Sequence, residues 1–144
     1  MTRTVFIVGA VVWLLVGTGG IGFAALGRGW LLSRLPALTI DADALGGALT
    51  AVAAVALAIG VAHVGVLTGL ARGWRWGRSI GALLASVLGA ALLGTAATAI
   101  SSVMRDAAYA APLLGAASVA LAGVLGYAVA AVRLARDLGS GSDS

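Results

Sequence analysis

The chain has 144 residues, of which 61% are hydrophobic and 10% charged, with a mean hydropathy of +1.10 and a formal net charge of +4. Soluble globular domains hold about 45–50% apolar residues, so this composition excludes a water-soluble fold and identifies an integral membrane protein. Lys, Glu, Asn, Gln and Cys are absent, which removes thiol chemistry and disulfides and leaves little from which an acid–base pair or activated nucleophile can be assembled.

The first apolar stretch runs from Thr4 to Leu26, long enough as a helix to cross a hydrocarbon core of about 30 Å. Arg3 and the glycines between Gly17 and Gly22 imitate a secretory signal, but a signal's apolar region covers only about 7–15 residues. The stretch is therefore expected to remain as a span. In the connection 27–43, Trp30, Leu31, Leu32, Leu35 and Leu38 with Arg28 and Arg34 predict a short helix on the outer membrane surface, limited by Pro36.

Three further stretches, 44–70, 79–103 and 109–132, each exceed the roughly 20 residues needed to cross. Unpaired backbone groups in lipid cost several kcal/mol each, so all four must be helices. Asp41 and Asp43 are placed to cap or charge the start of the second, Ser79 to cap the third, and Pro112 falls in the first turn of the fourth. The expected fold is all-α, a polytopic membrane protein with one four-transmembrane-helix bundle over residues 1–138. Residues 139–144 read as a flexible Gly/Ser tail.

Arg placement orients the spans, because cytoplasmic loops retain positive charge. With four spans, the N-terminus, middle loop and C-terminus share one side and carry Arg3, Arg72, Arg75, Arg78, Arg133 and Arg136. The other side carries Arg28, Arg34 and Arg105, accompanied by Asp41, Asp43 and Asp106. Both termini are expected in the cytoplasm, with the chain in a bacterial cytoplasmic membrane.

Lipid tails are as apolar as Leu, so helices associate through close van der Waals contact, which small residues permit. Gly65 and Gly69 form a GxxxG on the second helix. Ala85, Gly89 and Leu93, and separately Ala90 and Gly94, line the third, and Ser118, Ala122, Gly126 and Ala130 recur every four residues on the fourth. This last series predicts a tight helix contact, within the bundle or between protomers.

His63 is the only ionisable side chain well inside a stretch. An intramembrane ionisable residue is a functional hypothesis by default, and His can exchange protons or bind a metal or haem. One His makes no bis-His haem, and no second ligand lies at its depth, so the expected role is a hydrogen bond to a neighbouring helix, with no cofactor. Counted from the flanking Arg residues, Trp13, His63, Ser86 and Tyr127 share a depth and define a candidate polar layer. Thr95, Thr98 and Ser102 define a candidate hydroxyl line on the third helix, where such groups ordinarily bond helix backbone.

The middle loop interleaves Arg72, Arg75 and Arg78 with Trp74 and Trp76. Trp belongs at the headgroup level and Arg pairs with phosphate, which predicts an interfacial anchor on anionic lipid rather than a nucleic-acid site. This basic-aromatic turn, Gly69 to Gly81, together with the span count, resembles small four-span bacterial membrane proteins of unassigned function; the resemblance carries no active residue. The proteolipids of rotary ATPases need a mid-membrane carboxylate and the small multidrug antiporters a Glu in the first helix. Fluoride channels need a membrane Asn, thiol-oxidising quinone enzymes paired Cys, and membrane glutathione enzymes Glu and Asn. This sequence lacks each. The expected function is non-catalytic: an accessory or structural subunit of a membrane complex or homo-oligomer, with a small channel or transporter as the alternative.

Overall fold

The computed structural model describes residues 2–27, 29, 30, 33, 41–105 and 110–139. Four helices account for nearly all of them: α1 Thr2–Leu26, α2 Ala42–Ala71, α3 Arg75–Arg105 and α4 Ala110–Gly139. The fold is all-α, with no strand among the described residues. Each helix contains an 18-residue window with a mean hydropathy of at least 2.0, which is what a span requires. The helices hold 25, 30, 31 and 30 residues, or about 38–46 Å of rise. They overshoot a hydrocarbon core of about 30 Å, so their ends reach the headgroups or the helices tilt. The chain is a multi-pass membrane protein.

Helix starts follow local chemistry. The Leu45 N–H donates to the Asp41 carbonyl at 2.9 Å, which puts Asp41 at the N-cap position, and Asp43 lies in the first turn of α2, where a carboxylate meets the positive end of the helix dipole. Pro112 lies in the first turn of α4, where its missing N–H leaves no gap. Ser79 does not cap α3. That helix begins at Arg75, and the Ser79 hydroxyl donates to the Arg75 carbonyl at 3.3 Å inside it. Likewise α4 continues past Val132 through Arg133 and Arg136. Hydropathy ends where lipid ends, whereas backbone hydrogen bonding continues into the headgroups. Of the surface helix expected within 27–43, Gly29, Trp30 and Ser33 are described and are helical, with the Ser33 hydroxyl donating to the Trp30 carbonyl at 2.7 Å. Leu31, Leu32, Leu35, Leu38 and most of the expected tail lie outside the described residues, as does Tyr109.

The chain divides into two compact units, residues 6–65 and residues 1–5 with 66–144. In the first, α1 and α2 run antiparallel with backbones in close approach. A Cβ on Gly17 would stand 2.8 Å from the Leu57 nitrogen, one on Gly60 3.0 Å from the Leu14 nitrogen, and one on Gly20 2.9 Å from the Ala53 Cβ. Here hydrogen replaces a methyl group because the opposite backbone occupies its volume. Phe6, Ala10, Ala53 and Ala56 are buried along this unit.

In the second unit, the turn between α2 and α3 is closed by a Schellman motif. Gly73 adopts a φ of 70°, its N–H donates to the Leu70 carbonyl at 3.4 Å, and the Trp74 N–H donates to the Gly69 carbonyl at 2.9 Å. Left-handed φ disfavours any residue with a Cβ. Gly69 and Gly77 then meet across the turn, since a Cβ on Gly69 would stand 2.8 Å from the Gly77 Cα. Beyond the turn, α3 packs antiparallel on α4. A Cβ on Gly89 would stand 3.7 Å from the Tyr127 Cβ, and one on Gly123 2.7 Å from the Leu92 Cδ1. Ala85 and Leu88 of α3 and Ala117, Ala120, Tyr127, Ala130 and Leu134 of α4 are buried.

Candidate functional site

His63 is fully buried. Its ring centroid lies 5.5 Å from that of Phe6, tilted by 55°, and its Nδ1 lies 2.8 Å from the carbonyl oxygen of Ile59, one turn back on the same helix. A carbonyl only accepts, so Nδ1 carries the proton in this bond, and in the neutral ring Nε2 is then the acceptor. Sequence reading looked to neighbouring helices for the histidine's partner, whereas this bond closes on α2 itself. Trp13, half-buried, belongs with His63 to residues 6–65.

Ser86 and Tyr127 belong to the other unit. Tyr127 is buried, while Ser86 is exposed and its hydroxyl donates to the Ala82 carbonyl at 2.9 Å. The hydroxyl line behaves in the same way. Thr95 donates to Ala91 at 3.0 Å, Thr98 to Gly94 at 2.9 Å and Ser102 to Thr98 at 2.9 Å, each a carbonyl four residues back. Thr95 and Thr98 are exposed and Ser102 half-buried. A hydroxyl bonded in this way is neutralised toward lipid and has spent its donor on its own helix. Among the described residues no three His, Asp or Glu side chains gather as a metal site would require.

The basic-aromatic turn is exposed and organised. The Arg72 guanidinium carbon lies 4.8 Å from the Trp74 ring centroid, and the Trp74 and Trp76 centroids are 5.5 Å apart. Cation–π contact and ring packing hold these side chains together at one end of the unit. Arg3 joins them, donating through Nη2 to the Leu70 carbonyl at 3.2 Å. It is a second donor to that carbonyl, beside the Gly73 N–H, in the last turn of α2, where a cation also meets the negative end of the helix dipole. Six arginines, Arg3, Arg72, Arg75, Arg78 and, by the antiparallel register of α3 and α4, Arg133 and Arg136, mark the same end of this unit.

The small-residue faces divide. On α2, Gly69 is in backbone contact with Gly77, but a Cβ on Gly65 would have nothing within 4 Å. On α3, Ala85 is buried and Gly89 faces Tyr127, whereas Ala90 is exposed and Gly94 opens onto free space. On α4, Ala130 is buried and Gly126 half-buried, with Val5 Cγ atoms 3.9 Å from where its Cβ would be, while Ser118 and Ala122 are exposed. A spacing of four residues advances about 400°, so such a line drifts by about 40° per step around the helix. The face that packs on α3 instead steps by threes and fours through Ala117, Ala120, Gly123, Tyr127, Ala130 and Leu134. Sequence reading missed Gly17, Gly20 and Gly123 as contact points; the small-residue spacing Gly17, Gly20, Ala24 is the signal that marks the first two.

Gly126→Leu is expected to press on Val5 and lower the thermal midpoint in detergent, or to dissociate an oligomer. Gly115→Leu, where a Cβ meets nothing within 4 Å, is expected to leave both unchanged. Equal midpoints and equal masses for the two variants would assign the Gly126 face to lipid.

No protein-family model matches this chain, and no match is found among curated proteins or solved structures.

Proposed function

We propose that this chain is a non-catalytic integral membrane protein of a bacterial cytoplasmic membrane, an accessory or structural subunit of a larger complex or homo-oligomer. One observation carries the reading: polar groups are turned inward onto their own helices while small apolar surface is turned outward. The Thr95, Thr98, Ser102 and Ser86 hydroxyls and the His63 ring each bond a carbonyl of their own helix. Only 22% of each span window is buried within the chain, and Gly65 and Gly94 face open space. In lipid, exposed glycine offers another helix close backbone approach at little entropic cost. The Arg72 to Arg78 turn, with its Trp pair, serves as the anchor to anionic headgroups.

The test is the mass of the particle purified in a mild detergent, with identification of the proteins that accompany it. A mass of several copies, or a stoichiometric second protein, is the expected result. A monomer without companions at every detergent concentration would refute the reading. The six-to-three division of arginines further implies cytoplasmic termini, so a C-terminal reporter active only in the cytoplasm is expected to be active. Added arginines in residues 27–43 should weaken or invert that orientation.

A small channel or transporter is the second reading, favoured by one observation, a fully buried histidine inside a span. Vesicles loaded with a pH-sensitive dye discriminate. No proton flux above empty vesicles is expected; a flux that disappears in His63→Ala would establish the second reading instead.

A further inference from the structure

We propose that the outer face of α4 binds one anionic phospholipid, its acyl chain along Ala128, Val129 and Val132 and its phosphate between Arg133 and Arg136. These five residues line a groove of about 330 Å³, at the small end of the range typical of ligand clefts. Their spacing keeps them on one stripe of the helix, and the chemistry changes once along it. Three apolar side chains come first. Then, at the end of the apolar run, two guanidiniums follow one turn apart.

That order matches a lipid standing in a membrane. Val132 is the last residue of the apolar stretch, so Arg133 and Arg136 emerge at headgroup depth while the groove below them faces acyl chains. Ala128 and the two β-branched valines leave a concavity that a leucine would fill. Guanidinium presents a planar fork that holds phosphate oxygens in pairs, and two of them a turn apart suit a diester phosphate. With Gly89 against Tyr127 and Leu92 against Gly123, the antiparallel register brings Arg136 level with Ile80, so Arg78 adds positive potential close to that depth.

The occupant is a lipid rather than a free anion. Arg133 and Arg136 stand in the last two turns of α4, where the carbonyl end of the helix dipole repels an anion. Apolar contact along the groove must supply the remaining affinity, and only a ligand carrying an acyl chain provides it. This site does not depend on the subunit reading: its loss would leave the particle's mass unchanged, and a monomeric particle would leave the lipid bound.

The experiment reconstitutes the full chain into nanodiscs of equal phosphatidylglycerol and phosphatidylcholine, then counts retained lipids by native mass spectrometry. One phosphatidylglycerol is expected to be retained in preference. The double variant Arg133→Gln with Arg136→Gln should lose about thirtyfold of that preference, since each arginine near an anionic surface contributes about fivefold. Ala128→Trp fills the groove and keeps both charges, and it should also lose the bound lipid; Val129→Trp replaces it if the first variant does not fold. Arg105→Gln, at the opposite end of α3, should retain it. Equal retention of the two lipids, or wild-type retention in the double variant, would overturn the site. Retention that survives the tryptophan substitutions, or that soluble glycerol phosphate abolishes at equal concentration, would overturn the groove's part in it.

Discussion

Gly17→Leu is expected to separate α1 from α2 and cost about 3 kcal/mol or more, the upper end of what overpacking produces. A Cβ there would meet the Leu57 Cγ at 2.5 Å and, behind it, the Leu57 backbone nitrogen at 2.8 Å. Backbone inside a helix cannot swing aside as a side-chain end can, so the helices must part. The variant should still insert and keep its helicity, because insertion depends on hydropathy and helix formation on satisfying backbone groups in lipid. Thermal unfolding in detergent, read by loss of compactness rather than helicity, measures the cost. Gly19→Leu is the comparison, since a Cβ there has nothing within 4 Å, and its midpoint should match wild type. Equal midpoints for Gly17→Leu and wild type would show that this close approach does not hold the first unit together.

Phe6→Ala is expected to cost about 3–5 kcal/mol, as removal of a wholly buried phenyl ring does where the surroundings cannot collapse. His63→Leu should cost far less, below about 1.5 kcal/mol, because it roughly conserves volume. The Ile59 carbonyl that accepts from Nδ1 lies one turn back in the same helix, where the helical backbone bond remains after substitution. The Ile59 carbonyl is therefore not orphaned, and an orphaned group is what makes a lost hydrogen bond expensive. The two thermal midpoints decide: a fall for His63→Leu as large as that for Phe6→Ala would show that the imidazole holds more than its own helix and its contact with Phe6.

The candidate site was legible in part. The depth of His63 and the Arg and Trp of the middle loop are properties of position along the chain, and counting found them. The partner of His63 was not legible, because a histidine in a helix always has its own i−4 carbonyl in reach and nothing in the residue order says whether the ring turns that way. Arg3 is a similar case. It counted as a topogenic charge, and only the fold brings it to the Leu70 carbonyl, 67 positions away.

Span number, span position and helical character were determined by the sequence alone. Transfer of a side chain into lipid is a property of that side chain, additive along the chain, and the absence of water forces the backbone to bond within each span. Which face of each helix turns inward was decided only by the tertiary structure. In water the apolar stripe of a helix marks its buried side, but in lipid every face is apolar and periodicity says nothing about direction. Gly17, Gly60, Gly69 and Gly123 resemble Gly65, Gly94 and Gly115 in sequence, yet the first group meets a neighbouring chain segment and the second open space. That difference arises from pairs of surfaces fitting together, and the start of α3 at Arg75 rather than Ser79 from a turn that closes as soon as Gly73 enters the left-handed region.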